Sequence, residues 1–102
     1  MKRIRVVVIG AGYIANYHTR GLQSISGVEV AAVVAVPLQA AVDFAAKYNI
    51  AEAYDSIDSL VKRDDIDAVV IATPNKFHAP YAIDFLANGK DVFMEKPMAM
   101  DY

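Results

Sequence analysis

"IRVVVIGAGYIA", Ile4 to Ala15, joins two unlike halves. Ile4 to Gly10 is a largely β-branched run, as expected of a strand buried on both faces. The second half is a glycine turn of the form G-x-G-x-x-A, with Gly10, Gly12 and Ala15 in the three places. The first glycine permits the tight turn out of the strand. The second lets backbone come close to a bound group, and a small third residue lets helix and strand pack closely. The amides of Tyr13 and Ile14 then stand at the positive end of a helix dipole, a setting suited to the paired phosphates of a dinucleotide. Turns of this kind also arise for packing alone, so context matters: here a strand precedes, a helix follows, and the unit is the first of the chain.

Outward from this turn, apolar runs of strand length alternate with segments of helical period. Ile14, Tyr17, His18, Leu22 and Ile25 recur at helical spacing with Gly21 on the same stripe, and Gly27 ends that helix. Val28 to Ala35 reads as the second strand. Leu38, Ala41, Val42, Ala45 and Tyr48 mark a second helix, with Pro37 in its first turn. Ala51 to Tyr54 is a short third strand, and Ser56 can cap a brief helix carrying Ile57, Leu60 and Val61. Asp67 to Pro74 is the fourth strand. Asn75 can cap a helix whose inner face includes Tyr81, Ala82, Phe85 and Leu86, closed by Gly89. Asp91 to Pro97 is the fifth strand. The alternation predicts an α/β fold, a five-stranded parallel sheet covered by helices on both faces in the Rossmann manner.

The bulk numbers narrow the classes. A chain of 102 residues with 56% hydrophobic content suits one domain with a modest core. A net charge of −2 without a Lys/Arg stripe argues against nucleic acid. No apolar run approaches the ~20 residues needed to cross a bilayer. The start, "MKRIRVVVIG", has the basic-then-apolar order of a signal peptide but leads into a glycine turn, so it reads as a strand of a cytoplasmic protein. There is no cysteine, which removes disulfides and thiolate chemistry. His18 is expected as a core histidine and His78 as a packing residue, and the two lack the carboxylate company of a metal site.

The second half narrows the reading further. "DAVVIATPN" (Asp67 to Asn75), His78, "GKDV" (Gly89 to Val92) and "EKP" (Glu95 to Pro97), together with "GAGYIANYH", resemble the glucose–fructose oxidoreductase/inositol dehydrogenase family, also called GFO/IDH/MocA. The resemblance covers nearly the whole chain. It implies a Rossmann-type domain binding NAD or NADP, followed in full-length members by an α+β substrate domain. It also implies oxidoreductase activity on a sugar, cyclitol or related polyol. Carried over residue by residue, Ala72, Thr73, Pro74 and Asn75 resemble the loop lining the nicotinamide-ribose side, and His78 is implied among the cofactor-binding residues. Glu95 and Lys96 resemble the pair reaching the ribose and the substrate hydroxyl, with Lys96 the implied catalytic residue. An ammonium beside a developing alkoxide suits that role.

One position departs from the pattern. The acid that accepts the adenosine ribose hydroxyls belongs at the end of the second strand, about 20 residues after the turn. Ala35 stands there, followed by Val36 and Pro37. Losing such an acceptor costs about 1–3 kcal/mol, one to two decades of affinity, and leaves the phosphate loop in place. The expectation is a dinucleotide-binding domain over residues 1–102, a piece of something longer whose substrate domain is absent, and catalytically incomplete alone. The alternative is an isolated or engineered fragment with weakened cofactor binding, forming a homo-oligomer through an open sheet edge.

Overall fold

The computed structural model describes residues 3–10, 12–72 and 84–94. In chain order these form β1 (Ile4–Ile9), α1 (Tyr13–Gln23), β2 (Val28–Val34), α2 (Leu38–Tyr48), β3 (Glu52–Tyr54), β4 (Ala68–Ile71) and β5 (Asp91–Met94). The strands make one sheet in the order β3-β2-β1-β4-β5, and every pairing is parallel. The chain moves outward from β1 to β3, then crosses back to β4 beside β1. Right-handed crossovers therefore put α1 and α2 on one face, and Phe85, just before β5, packs on the other. This is the Rossmann-type α/β arrangement expected from the alternation.

The two faces have separate cores. Val8, Val33 and Ala35 pack with Ala15 of α1 and Ala41, Phe44 and Ala45 of α2. Val7, Ile9, Val34, Val69 and Ile71 pack on the other side with Ile57, Leu60 and Phe85. Strands so buried carry Val and Ile on successive residues because both faces must be apolar.

β2 departs from strict alternation. Val6 pairs with Val30 but Val7 pairs with Ala32, leaving Ala31 as an extra residue. Ala31 and Ala32 therefore face the same core, and Val33 and Ala35 return to the face of Val30.

Several expectations need correction. The α1 stripe is rotated: Ala15 and Thr19 are fully buried, whereas Tyr17 is 69% and Ile25 52% exposed. His18 is half-buried with its ring edge-on to Tyr17 at 5.6 Å, and does not belong to the core. In α2 the buried line is Ala41, Phe44 and Ala45, while Leu38 and Val42 are exposed. Pro37 is the N-cap of α2, one place before the first turn, and Asn49 in the left-handed region closes that helix. Residues 57–62 form turns instead of a helix, although Ser56 Oγ does accept the Asp58 amide at 3.1 Å. After the helical residues 84–87, Lys90 N–H bonds Phe85 O and Gly89 N–H bonds Leu86 O, a Schellman ending with Gly89 at φ 80°. Phe85 is buried as expected, but Leu86 is 58% exposed.

Candidate functional site

Three adjacent strand tips meet at the carboxyl edge of the sheet. The Gly10 amide donates to Val34 O at 2.7 Å, that of Ala35 to Tyr54 O at 3.0 Å, and that of Ala72 to Ile9 O at 2.8 Å. Ala35, the glycine turn and Ala72 are thereby placed side by side on β2, β1 and β4. Between β1 and β4 the chain's direction of travel across the sheet reverses. This is the switch point at which open α/β sheets form a crevice outside the strand ends.

The turn's three small residues do different work. Gly10 has φ 119°, in the region that favours glycine, and is buried. Its amide is committed to β2, so it shapes the turn without being a free donor. Gly12 caps α1 with φ −91° and ψ −162°, an extended conformation open to any residue. Among the described residues, a Cβ built there meets nothing within 4 Å. Neither backbone strain nor packing against the described residues calls for glycine at 12, which leaves room on this side for a ligand to approach. Ala15 is fully buried in the core shared by β1, β2 and α2, so its small size serves close helix–sheet packing.

The helix end is electrostatically suited to an anion. The Asn16 amide makes the first bond into α1, to Gly12 O at 3.0 Å. The amides of Tyr13, Ile14 and Ala15 precede it and point outward from the helix start. No acidic residue stands in the first turn of α1. These amides and the α1 dipole can hold paired phosphates.

Asn16 is a residue that the sequence reading missed. Its Nδ2 donates to Gly12 O at 2.9 Å, and its Oδ1 accepts from Lys47 Nζ at 3.1 Å and Tyr48 Oη at 2.5 Å. The start of α1 is thus tied to the end of α2. The only signal in the sequence was an amide side chain four residues after a glycine, which many helices share.

At the β2 tip, Ala35 is 8% exposed and Val36 76% exposed. Neither side chain can bond a ribose hydroxyl. Ala72 is half-buried against the α1–α2 core. Thr73, Pro74, Asn75, His78, Glu95 and Lys96 lie outside the described residues.

A charged cluster gathers around Arg63, between β3 and the turn before β4. Arg63 bonds Glu52 at 2.6 Å and Asp65 at 2.6 Å, and Tyr54 Oη donates to Glu52 at 2.5 Å. The hydrogen bonds from Arg63 and then Tyr54 hold the Glu52 carboxyl below its ordinary range, and those from Arg63 do the same for Asp65. Glu52 in turn pushes the Tyr54 phenol up. Buried Lys90 donates Nζ to Arg63 O at 2.5 Å. Groups of His, Cys, Asp and Glu able to hold a metal are absent among the described residues.

Comparison with known proteins agrees with this geometry. The pattern of the GFO_IDH_MocA family, described as "Oxidoreductase family, NAD-binding Rossmann fold", matches residues 4–102. The chain belongs to that family. Trans-1,2-dihydrobenzene-1,2-diol dehydrogenase of Mus musculus is 40% identical over 100 residues, covering 96% of this chain and 30% of that protein. An α-N-acetylgalactosaminidase of Shewanella oneidensis is 36% identical over 110 residues, covering 98% and 24%. The structure of scyllo-inositol dehydrogenase from Lactobacillus casei with bound NAD(H) and scyllo-inositol superposes with TM-score 0.84 at 29% identity, covering 94% and 28%. The chain therefore spans about a quarter to a third of these relatives, and it is an NAD-binding domain of the family.

Proposed function

We propose that residues 1–102 form the dinucleotide-holding domain of an NAD(P)-dependent oxidoreductase whose substrate is a sugar, cyclitol or related polyol. The observation that carries the cofactor half is Gly12, a glycine that neither its backbone angles nor its neighbours among the described residues require, at the mouth of an anion-suited helix start. A nicotinamide dinucleotide, when bound, supplies the hydride acceptor or donor. The chain's own contribution is to seat the pyrophosphate on the Tyr13–Ala15 amides, with Gly10 shaping the turn and Ala15 drawing helix to sheet. Ala72, Thr73, Pro74, Asn75, His78 and Glu95 are assigned to the nicotinamide-ribose side, and Lys96 to holding and moving the proton of the substrate hydroxyl. The polyol substrate is supported by the dehydrogenase relatives. The glycosidase relative is named for a sugar derivative, so a ring bearing hydroxyls is the shared thread, and the reaction type depends on the remaining three-quarters or so of such proteins. A cytoplasmic setting belongs to this reading.

Titration of this chain with NADH, followed by nicotinamide fluorescence, is expected to saturate between micromolar and millimolar concentration. The span allows for the one to two decades lost with the ribose acceptor. A flat response at millimolar NADH would overturn the reading.

A further inference from the structure

We propose that this domain discriminates little between NAD(H) and NADP(H), and that Ala35 and Val36 are the residues responsible. The inference rests on the dinucleotide reading above and deepens it. The two cofactors differ only at the adenosine 2′ position, as a hydroxyl or a phosphate. A Rossmann site tells them apart at the tip of its second strand, where a carboxylate bonds the hydroxyl and repels the phosphate, or an Arg attracts the phosphate.

That tip is well defined here. The Gly10 amide on Val34 O and the Ala35 amide on Tyr54 O fix Ala35 beside the glycine turn, one strand over. The Ala35 methyl is turned into the α1–α2 core, and Val36 stands 76% exposed beyond it. Ala35 offers the hydroxyl no acceptor and the phosphate no like charge. Val36 offers the phosphate no cation. The first turn of α2, which follows directly, carries no acidic residue. Among the described residues the next carboxylate on that edge is Asp55, one residue past β3. It lies one strand further out, roughly 4.8 Å, and is exposed, so the high dielectric of water holds its effect at the β2 tip to a few-fold at most. Every contact argued for the pyrophosphate is common to both cofactors.

The test is a parallel fluorescence titration of this chain with NADH and NADPH at two salt concentrations. The expected result is a ratio of dissociation constants within about threefold, with NADPH no more salt-sensitive than NADH, since no cation is assigned to its extra phosphate. Ala35→Asp is expected to tighten NADH and weaken NADPH, moving the ratio by at least about tenfold. Ala35 is buried, so that variant can fail to fold. Val36→Arg changes an exposed side chain and is expected to tighten NADPH alone, by about five- to tenfold with a new salt dependence. A preference of tenfold or more in the unaltered chain, for either cofactor, overturns the inference and leaves the dinucleotide reading standing. So does an unchanged ratio in both folded variants. Failure of both cofactors to bind overturns the dinucleotide reading and the inference with it.

Discussion

At the carboxyl edge the sheet presents Gly10, Gly12, Ala35 and Ala72, residues with almost no side chain. At the amino edge it presents Arg5, Glu29, Glu52, Arg63, Asp65 and the buried Lys90, joined by charge-assisted hydrogen bonds and ion pairs. One edge keeps backbone amides available to something outside the chain. The other spends long side chains on each other and on backbone carbonyls. The contrast teaches that the polar groups which hold this fold together and those offered to a ligand are different groups, so damage to one edge should leave the other working.

The sharpest break concerns the two glycines of the turn. Gly10→Ala forces a side chain into φ 119° at a buried position. It is expected to cost about 1–3 kcal/mol of stability by urea denaturation and to disturb dinucleotide binding through the misshapen turn. Gly12→Ala adds a methyl that meets none of the described residues, at an ordinary backbone conformation. Its stability is expected within about 0.5 kcal/mol of the unaltered chain, while NADH affinity falls about tenfold or more. A Gly12→Ala protein that binds NADH normally would show that the open space above the turn is not where the pyrophosphate sits.

A smaller effect is expected at the other edge. Arg63→Ala removes the partner of both Glu52 and Asp65 and is expected to cost about 1 kcal/mol, with NADH binding unchanged. The smallest and most diagnostic change is with pH. Both carboxyls are held below their ordinary values by Arg63. Their contribution is therefore complete above the ordinary carboxylate range, near pH 4–4.5, and is lost as pH falls through the lower folded values. Urea midpoints of the unaltered and Arg63→Ala proteins should stay a constant distance apart from pH 8 to about pH 5 and converge below pH 4. A gap that persists at pH 3 would place the effect of Arg63 in packing of its stem instead of its charge.

The strand runs and the glycine turn were readable from residues alone, because parallel strands covered on both sides have no polar face to obscure them. The helix faces were misread for one physical reason. Periodicity picks out large apolar residues, yet the glycine turn brings α1 so close to the sheet that Ala15 and Thr19 occupy the contact, and Tyr17 and Ile25 face outward. Small residues at a close approach look unremarkable in a sequence. The same blindness hid Asn16, whose importance lies in partners 31 and 32 positions away. The network around Arg63 was equally invisible, since Glu52, Asp65 and Arg63 come together only when β3 and the turn before β4 are folded. The missing acid at Ala35 was visible at once, because it is a departure from a counted spacing.

That count has a hidden term. β2 reaches its tip with Ala31 standing as a surplus residue against β1. Dropping one residue from a central strand normally throws everything after it onto the wrong side of the sheet. Here the loss of Ala31 would do the reverse, since Val33 and Ala35 already share a face with Val30 as though that residue were not there. The strand holds a spare link, and a chain shortened by that one link would still bring the same methyl to the same spot beside the turn.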